Sequence, residues 1–81
     1  MIPTGRQFRE GRLLVGMSQE NLAAAADVGV GLVVRVEAAD GLPMITRRDS
    51  IAMQTVLEAA GVEFVQEKGV GAGVRLHMGK C

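Results

Sequence analysis

The stretch Met17–Glu37, which reads MSQENLAAAADVGVGLVVRVE, decides the fold of this chain. Ser18 is a favoured N-cap residue and predicts a helix from Gln19 to about Ala26. A tight turn is predicted at Asp27-Val28-Gly29, because Asp and Gly tolerate the left-handed backbone conformation that such turns use. Another helix is predicted from about Val30 to Ala38. The stretch therefore predicts two short helices joined by a three-residue turn.

Both helices have a face that is suited to the core. Their inward positions recur at helical spacing, and the small residues of the first helix allow close packing. These positions are Leu22, Ala23 and Ala26 in the first helix, and Val33, Val36 and Glu37 in the second.

Further helices are predicted on both sides of this stretch. Thr4 and Gln7 have the spacing of a capping box, which predicts an N-terminal helix that ends at about Val15. Thr46 caps a longer helix from about Arg47 to Ala60. The predicted apolar stripe of that last helix consists of Met53, Val56, Leu57 and Ala60.

The C-terminal part changes to a period of two, which is typical of strands. Val62–Gln66 and Val74–Met78 alternate between apolar and polar residues on either side of the Gly-rich connector Gly69–Gly73, and this predicts a β-hairpin. A two-stranded hairpin is marginal alone, so we expect it to pack on the helices, to extend a sheet across a dimer, or to do both. An unstructured tail is the alternative. The predicted fold class is mainly α, with four or five helices and a C-terminal β-hairpin in one domain over 1–81, helical over 4–60 and with the hairpin over 62–78.

Composition narrows the class of protein. The chain has 81 residues, nine basic and nine acidic side chains, and a single cysteine, Cys81. We expect a cytoplasmic protein that does not enter a membrane, because no apolar run approaches the roughly 20 residues that a membrane span needs, and no secretion signal is present. A net charge of zero is unusual for a DNA-binding domain, since phosphate neutralisation supplies much of the affinity of such domains.

The residues from Met17 to Glu37, together with Arg12, resemble the Cro/XRE helix-turn-helix family. The segments that carry the resemblance are Met17-Ser18-Gln19-Glu20-Asn21-Leu22-Ala23, Ala26-Asp27-Val28, Val33 and Arg35-Val36-Glu37. The resemblance implies that the third helix, counted from the N-terminus, lies in the major groove of DNA. It also implies that Gln19 contacts a phosphate. The DNA-binding set that it implies is Gln19, Val30, Leu32, Arg35 and Arg47.

The outward positions of the third helix depart from this family pattern. Val30, Gly31, Leu32 and Val34 stand where the family usually has polar residues, and base readout needs hydrogen-bonding groups. An exposed apolar patch on a helix is more typical of a protein-interaction site. Val30, Gly31, Leu32, Val34 and Arg35 are therefore the predicted protein-binding residues. Leu32→Asp is expected to abolish binding while the fold stays intact.

The resemblance extends to small antiactivators of the QseM type, which bind transcriptional activators instead of DNA. It implies that this chain binds a transcriptional activator protein, such as a TraR-type quorum-sensing regulator, and blocks the conjugative transfer of a mobile element. Two alternatives remain open. The chain is a dimeric DNA-binding repressor with phosphate contacts from Arg6, Arg9, Arg47 and Arg48, or its third helix is buried against the hairpin or a second subunit in a homodimer.

No residue pattern favours an enzyme, a cofactor or a metal. His77 has no second candidate ligand beside it, and Cys81 has no neighbouring general base. Gly69–Gly73 lacks the Lys-Ser/Thr ending of a phosphate-binding loop. We therefore predict no catalytic residues and no metal ligands.

Overall fold

The structure, a computed structural model, describes residues 2–39, 41–67 and 71–76. In these residues four helices precede a two-stranded antiparallel hairpin, which confirms the mainly α class with a C-terminal hairpin. The helix boundaries lie within one residue of those predicted. The elements are α1 (Gly5–Leu14), α2 (Gln19–Ala26), α3 (Val30–Glu37), α4 (Arg47–Ala59), β1 (Val62–Glu67) and β2 (Gly71–Leu76).

The predicted caps form at the starts of three helices. Thr4 and Gln7 make both bonds of the capping box, in which the Thr4 N–H donates to Gln7 Oε1 at 2.8 Å and the Gln7 N–H donates to Thr4 Oγ1 at 3.1 Å. Ser18 and Thr46 accept from the backbone of Asn21 and Asp49 in the same way. α3 differs, because its N-cap is Gly29, which has no side chain to accept a bond.

The α2–α3 turn has the geometry that its sequence predicts. Asp27 adopts the left-handed conformation with φ 59° and ψ 47°. The Val28 N–H donates to the Ala23 carbonyl at 3.0 Å and closes the end of α2. α3 consequently leaves the turn packed against α2 and α1.

Within the part of the chain that the structure describes, one cluster of apolar side chains forms the core. Most of the predicted inward positions belong to it, but the prediction is wrong for Ala60, which follows α4 and is exposed. Phe8 and Phe64 meet edge to face with ring centroids 5.8 Å apart. The buried members are Phe8, Leu22, Ala23, Ala26, Val33, Val36, Met53, Leu57 and Val62.

The hairpin packs on α1, and packing on the helices is one of the two arrangements predicted for it. The Gln7 amide nitrogen donates to the carbonyls of Val65 and Gly73 at 3.2 and 2.9 Å, and these two residues are paired across the strands. The predicted boundary of the second strand is wrong at its start, because β2 begins at Gly71 and not at Val74. Gly71 and Gly73 are strand residues because they pair with β1. The predicted end of the strand at Met78 lies outside the described residues.

The N-terminus of α1 approaches the end of α3 backbone to backbone. A Cβ atom on Gly5 would overlap the carbonyl oxygens of Val36 and Ala39. The Gly5 N–H donates to the Gly41 carbonyl at 3.0 Å. The position requires glycine, and the contact attaches α1 to the end of α3 and to the loop that follows it.

Candidate functional site

α3 presents one side to solvent along its whole length. The exposed positions follow a helical stripe and continue one residue past the end of the helix. Val30 is 43% exposed and Val34 is 49% exposed, so two aliphatic side chains one turn apart face water. We call this stripe the outer face of α3, and it consists of Val30, Gly31, Val34, Arg35 and Ala38.

Leu32 does not belong to the outer face, although it was predicted to. Its side chain is half-buried and packs against the core cluster. The reason is the helical period, since each residue turns about 100° and Leu32 therefore lies about 160° around the helix from both Val30 and Val34. Leu32→Asp would place a charge against the core, so this substitution is expected to disturb the fold and does not separate binding from folding.

A polar network on the opposite side of the helix holds α3 in place. Arg12 makes a two-pronged bridge to Glu37, with Nε and Nη2 donating to the carboxylate at 2.7 and 2.9 Å. Arg12 Nη1 also donates to the Met17 carbonyl at 2.8 Å. The side chains of Arg12 and Glu37 are 11% and 3% exposed, so the pair is shielded from water. The network joins α1, the start of α2 and the end of α3.

The Arg12 guanidinium keeps its positive charge in this network. The hydrogen bond with Glu37 raises the pKa of Arg12 above its ordinary value and outweighs the desolvation that acts in the opposite direction. A raised pKa in a basic group stabilises the folded state below the unfolded pKa, and this contribution disappears only as the pH rises through the folded value. The guanidinium therefore contributes a constant amount throughout the neutral range.

Gln19 joins the same network and is partly exposed at the start of α2. Its amide nitrogen donates to Glu37 Oε1 at 3.1 Å, and its contact with a phosphate stays a prediction. Arg47 is the first residue of α4, which packs against α2, α1 and β1. The side chain of Arg47 lines a cleft together with Ile2 and Ile51. Of the predicted binding residues, the structure brings together Val30, Gly31, Val34 and Arg35.

The first turn of α3 has few local supports. Gly29 gives no side-chain cap and Gly31 lies within the first turn, where glycine lowers helix stability. A Cβ at either position would meet nothing within 4 Å. The space above this turn is therefore open, and another backbone can approach closely there.

Sequence reasoning missed two parts of this site. Ala38 extends the outer face, and its spacing of four residues from Val34 was the available signal. Glu37 was predicted to face inward, but its bond to Arg12 connects positions 25 residues apart, and no local pattern reports such a pair.

Comparison with known proteins finds no relative of this chain. No family model matches the chain, and no curated protein is similar to it in sequence. Within residues 2–39, 41–67 and 71–76, no three His, Cys, Asp or Glu side chains group closely enough to hold a metal ion. None of the helices in those ranges combines the length and the apolar character needed to cross a membrane.

Proposed function

We propose that this chain is a cytoplasmic helix-turn-helix regulator of the Cro/XRE type that acts as an antiactivator. In this proposal the outer face of α3 binds a transcriptional activator protein, such as a TraR-type quorum-sensing regulator, and prevents it from activating transfer of a mobile element. The α2–α3 pair supplies the rigid support, and the residues of α3 that face solvent supply the recognition.

The observation that carries the proposal is the chemistry of the outer face. Val30 and Val34 are exposed there, Gly31 and Ala38 add no hydrogen-bonding side chain, and Arg35 is the only charged residue. Such a surface recognises an apolar groove or helix far better than the edges of bases. Each valine is already about half buried, so burial of the rest of its side chain contributes roughly 0.7–1.5 kcal/mol before the costs of association.

Binding of a co-expressed TraR-type activator tests this proposal. Val34→Asp and Val30→Asp each remove an apolar contact and bury an unpaired carboxylate in its place, and we expect each to weaken binding by about 10- to 150-fold. Leu13→Asp is the matched control, because Leu13 is an exposed aliphatic residue on α1, 60% exposed and outside the outer face. Equal capture by Val34→Asp and the wild type would exclude the outer face as the binding surface.

A DNA-binding repressor is the second candidate function, and the exposed arginines favour it. Arg35 lies on the outer face, and Arg47 and Arg48 are exposed at the start of α4. A repressor would bind duplex DNA with an affinity that falls steeply as salt is added. Arg35→Ala and Arg47→Ala would then each reduce the salt dependence, whereas the antiactivator would show no saturable duplex binding at moderate salt.

A further inference from the structure

A small cleft lies between the N-terminal segment of the chain and one face of α4. Its volume is about 190 Å³. Ile2 is held beside it because the next residue, Pro3, is fully buried. The lining residues on α4 are spaced by three or four positions, so they lie on the same side of the helix. We call this space the α4 cleft, and its lining residues are Ile2, Arg47, Ser50, Ile51 and Gln54.

Ser50 supplies a hydroxyl group to the cleft. The residue is only 2% exposed, and its hydroxyl makes no hydrogen bond with any of the described residues. Among those residues, every fully enclosed polar side-chain atom has a hydrogen-bond partner. The Ser50 hydroxyl is therefore not fully enclosed, and the space that it reaches is the α4 cleft. A ligand in the cleft can accept the hydrogen of this hydroxyl.

Arg47 adds a positive charge at the same end of the cleft. It is exposed and forms no ion pair with any acidic residue that the structure describes. As the first residue of α4 it also lies where the helix dipole attracts anions. Asp49, the acidic residue of that turn, is two positions further on and therefore faces another side of the helix. At the opposite end of the cleft, Gln54 donates to Glu58 at 3.0 Å, so a negative charge lies beyond that end.

The remaining walls of the cleft are aliphatic and set the size of its ligand. Ile2 and Ile51 are each about half exposed, so both have apolar area left to bury. Drug-sized ligands occupy pockets of about 300–1,000 Å³, whereas a cavity of about 150 Å³ holds one benzene ring. The α4 cleft therefore suits an aliphatic chain of about four to six carbons.

We infer that the α4 cleft binds a short aliphatic carboxylate. The carboxylate accepts hydrogen bonds from Arg47 and from the Ser50 hydroxyl, and the chain lies between Ile2 and Ile51. A free short-chain acid and the C-terminal residue of a peptide both present these two groups. No residue of α3 lines the cleft, so this site is independent of the outer face and of the partner proposed for it.

Titration of the full chain with hexanoate, followed by amide NMR spectra at constant ionic strength, tests this inference. We expect saturable shifts of the Ser50 and Ile51 amides, with a Kd on the order of 1 mM. Hexylammonium has the same chain with the opposite charge, and it should not bind up to about 50 mM. N-acetylleucine identifies the source, because it binds more tightly than hexanoate if the natural ligand is a peptide C-terminus and more weakly if it is a free acid. No saturable shift with either acid, or equal binding of hexylammonium, would overturn the inference.

Two variants and a matched control locate the ligand. Arg47→Gln removes the charge and is expected to weaken hexanoate binding about three- to tenfold. Ser50→Ala removes the hydroxyl and should weaken it about two- to tenfold. Arg48→Gln is the control, because Arg48 is the neighbouring exposed arginine and does not line the cleft. The amide spectra report whether each variant keeps its fold. Unchanged affinity in folded Arg47→Gln, or an equal loss in Arg48→Gln, would contradict the proposed position of the carboxylate.

Discussion

Glu37 is the carboxylate on which the position of α3 depends, and its replacement by glutamine gives the sharpest test of the structure. Glu37 accepts two hydrogen bonds from Arg12 and one from Gln19, and its side chain is 3% exposed. Glu37→Gln preserves the size of the side chain but removes its charge, and its amide group faces at least one existing donor, the Arg12 Nε–H, where an oxygen had accepted. The shielded Arg12 guanidinium then loses its hydrogen-bonded counter-charge and keeps only the weaker attraction of Glu20.

The expected cost follows from the burial of the pair. Removal of one partner from a buried ion pair costs about 3–5 kcal/mol. Arg12 retains its bond to the Met17 carbonyl and glutamine retains one acceptor oxygen, so we expect about 2–3 kcal/mol. A domain of 81 residues has a total stability of about 4–12 kcal/mol, so this loss is a large fraction of it. The midpoint of thermal unfolding should fall by roughly 8–24 °C.

Urea and thermal unfolding followed by circular dichroism measure this loss. Glu58→Gln is the matched control, because Glu58 accepts a single bond from Gln54 on the surface of α4 and should lose less than about 0.5 kcal/mol. Arg12→Met combined with Glu37→Met removes both charges and should cost less than the sum of the two single changes. Two results would refute the account of the network. One is a loss of less than about 1 kcal/mol in the free energy of unfolding of Glu37→Gln. The other is a loss in the double variant that equals the sum of the losses in Arg12→Met and Glu37→Met.

Three further substitutions test other contacts by urea unfolding. Gly31→Ala should stabilise the chain by about 0.5–1 kcal/mol, because the new methyl group meets no atom and glycine disfavours a helix; destabilisation would mean that the site is crowded. Gly5→Ala should destabilise by more than about 3 kcal/mol, since its Cβ overlaps two backbone carbonyls, whereas a neutral result would remove the close approach of α1 to α3. Gln7→Leu should cost about 1–3 kcal/mol and speed amide exchange in β1 and β2, because two strand carbonyls lose their donor; unchanged exchange would show that the amide does not fix the hairpin.

Local chemistry predicted the helices well. Thr4, Ser18 and Thr46 act through side chains within three residues, so their helix starts can be read from the sequence. Asp27 adopts the predicted left-handed turn for the same local reason. The helical period also identified Val33 and Val36 as core residues.

The errors arose where distant parts of the chain meet. Gly71 lies in a strand because β1 pairs with it, although a Gly-rich stretch alone predicts a connector. Leu32 was assigned by its apolar character, whereas its angle around the helix places it against the core. The hydrogen bond from Gln19 to Glu37 spans 18 residues and joins two helices, so no local pattern predicts it. The sequence alone therefore could not show which side of α3 faces solvent, because tertiary contacts decide it.

The division of α3 into a fixed side and a solvent side makes it a natural position for engineering new specificity. Val33, Val36 and Glu37 hold the helix, whereas Val30, Gly31, Val34 and Arg35 contribute little to the packing of their own chain. A library that varies those four positions should therefore preserve the fold in most of its members. Selection from such a library would reveal which chemistries this scaffold can recognise, from peptides to nucleic acids.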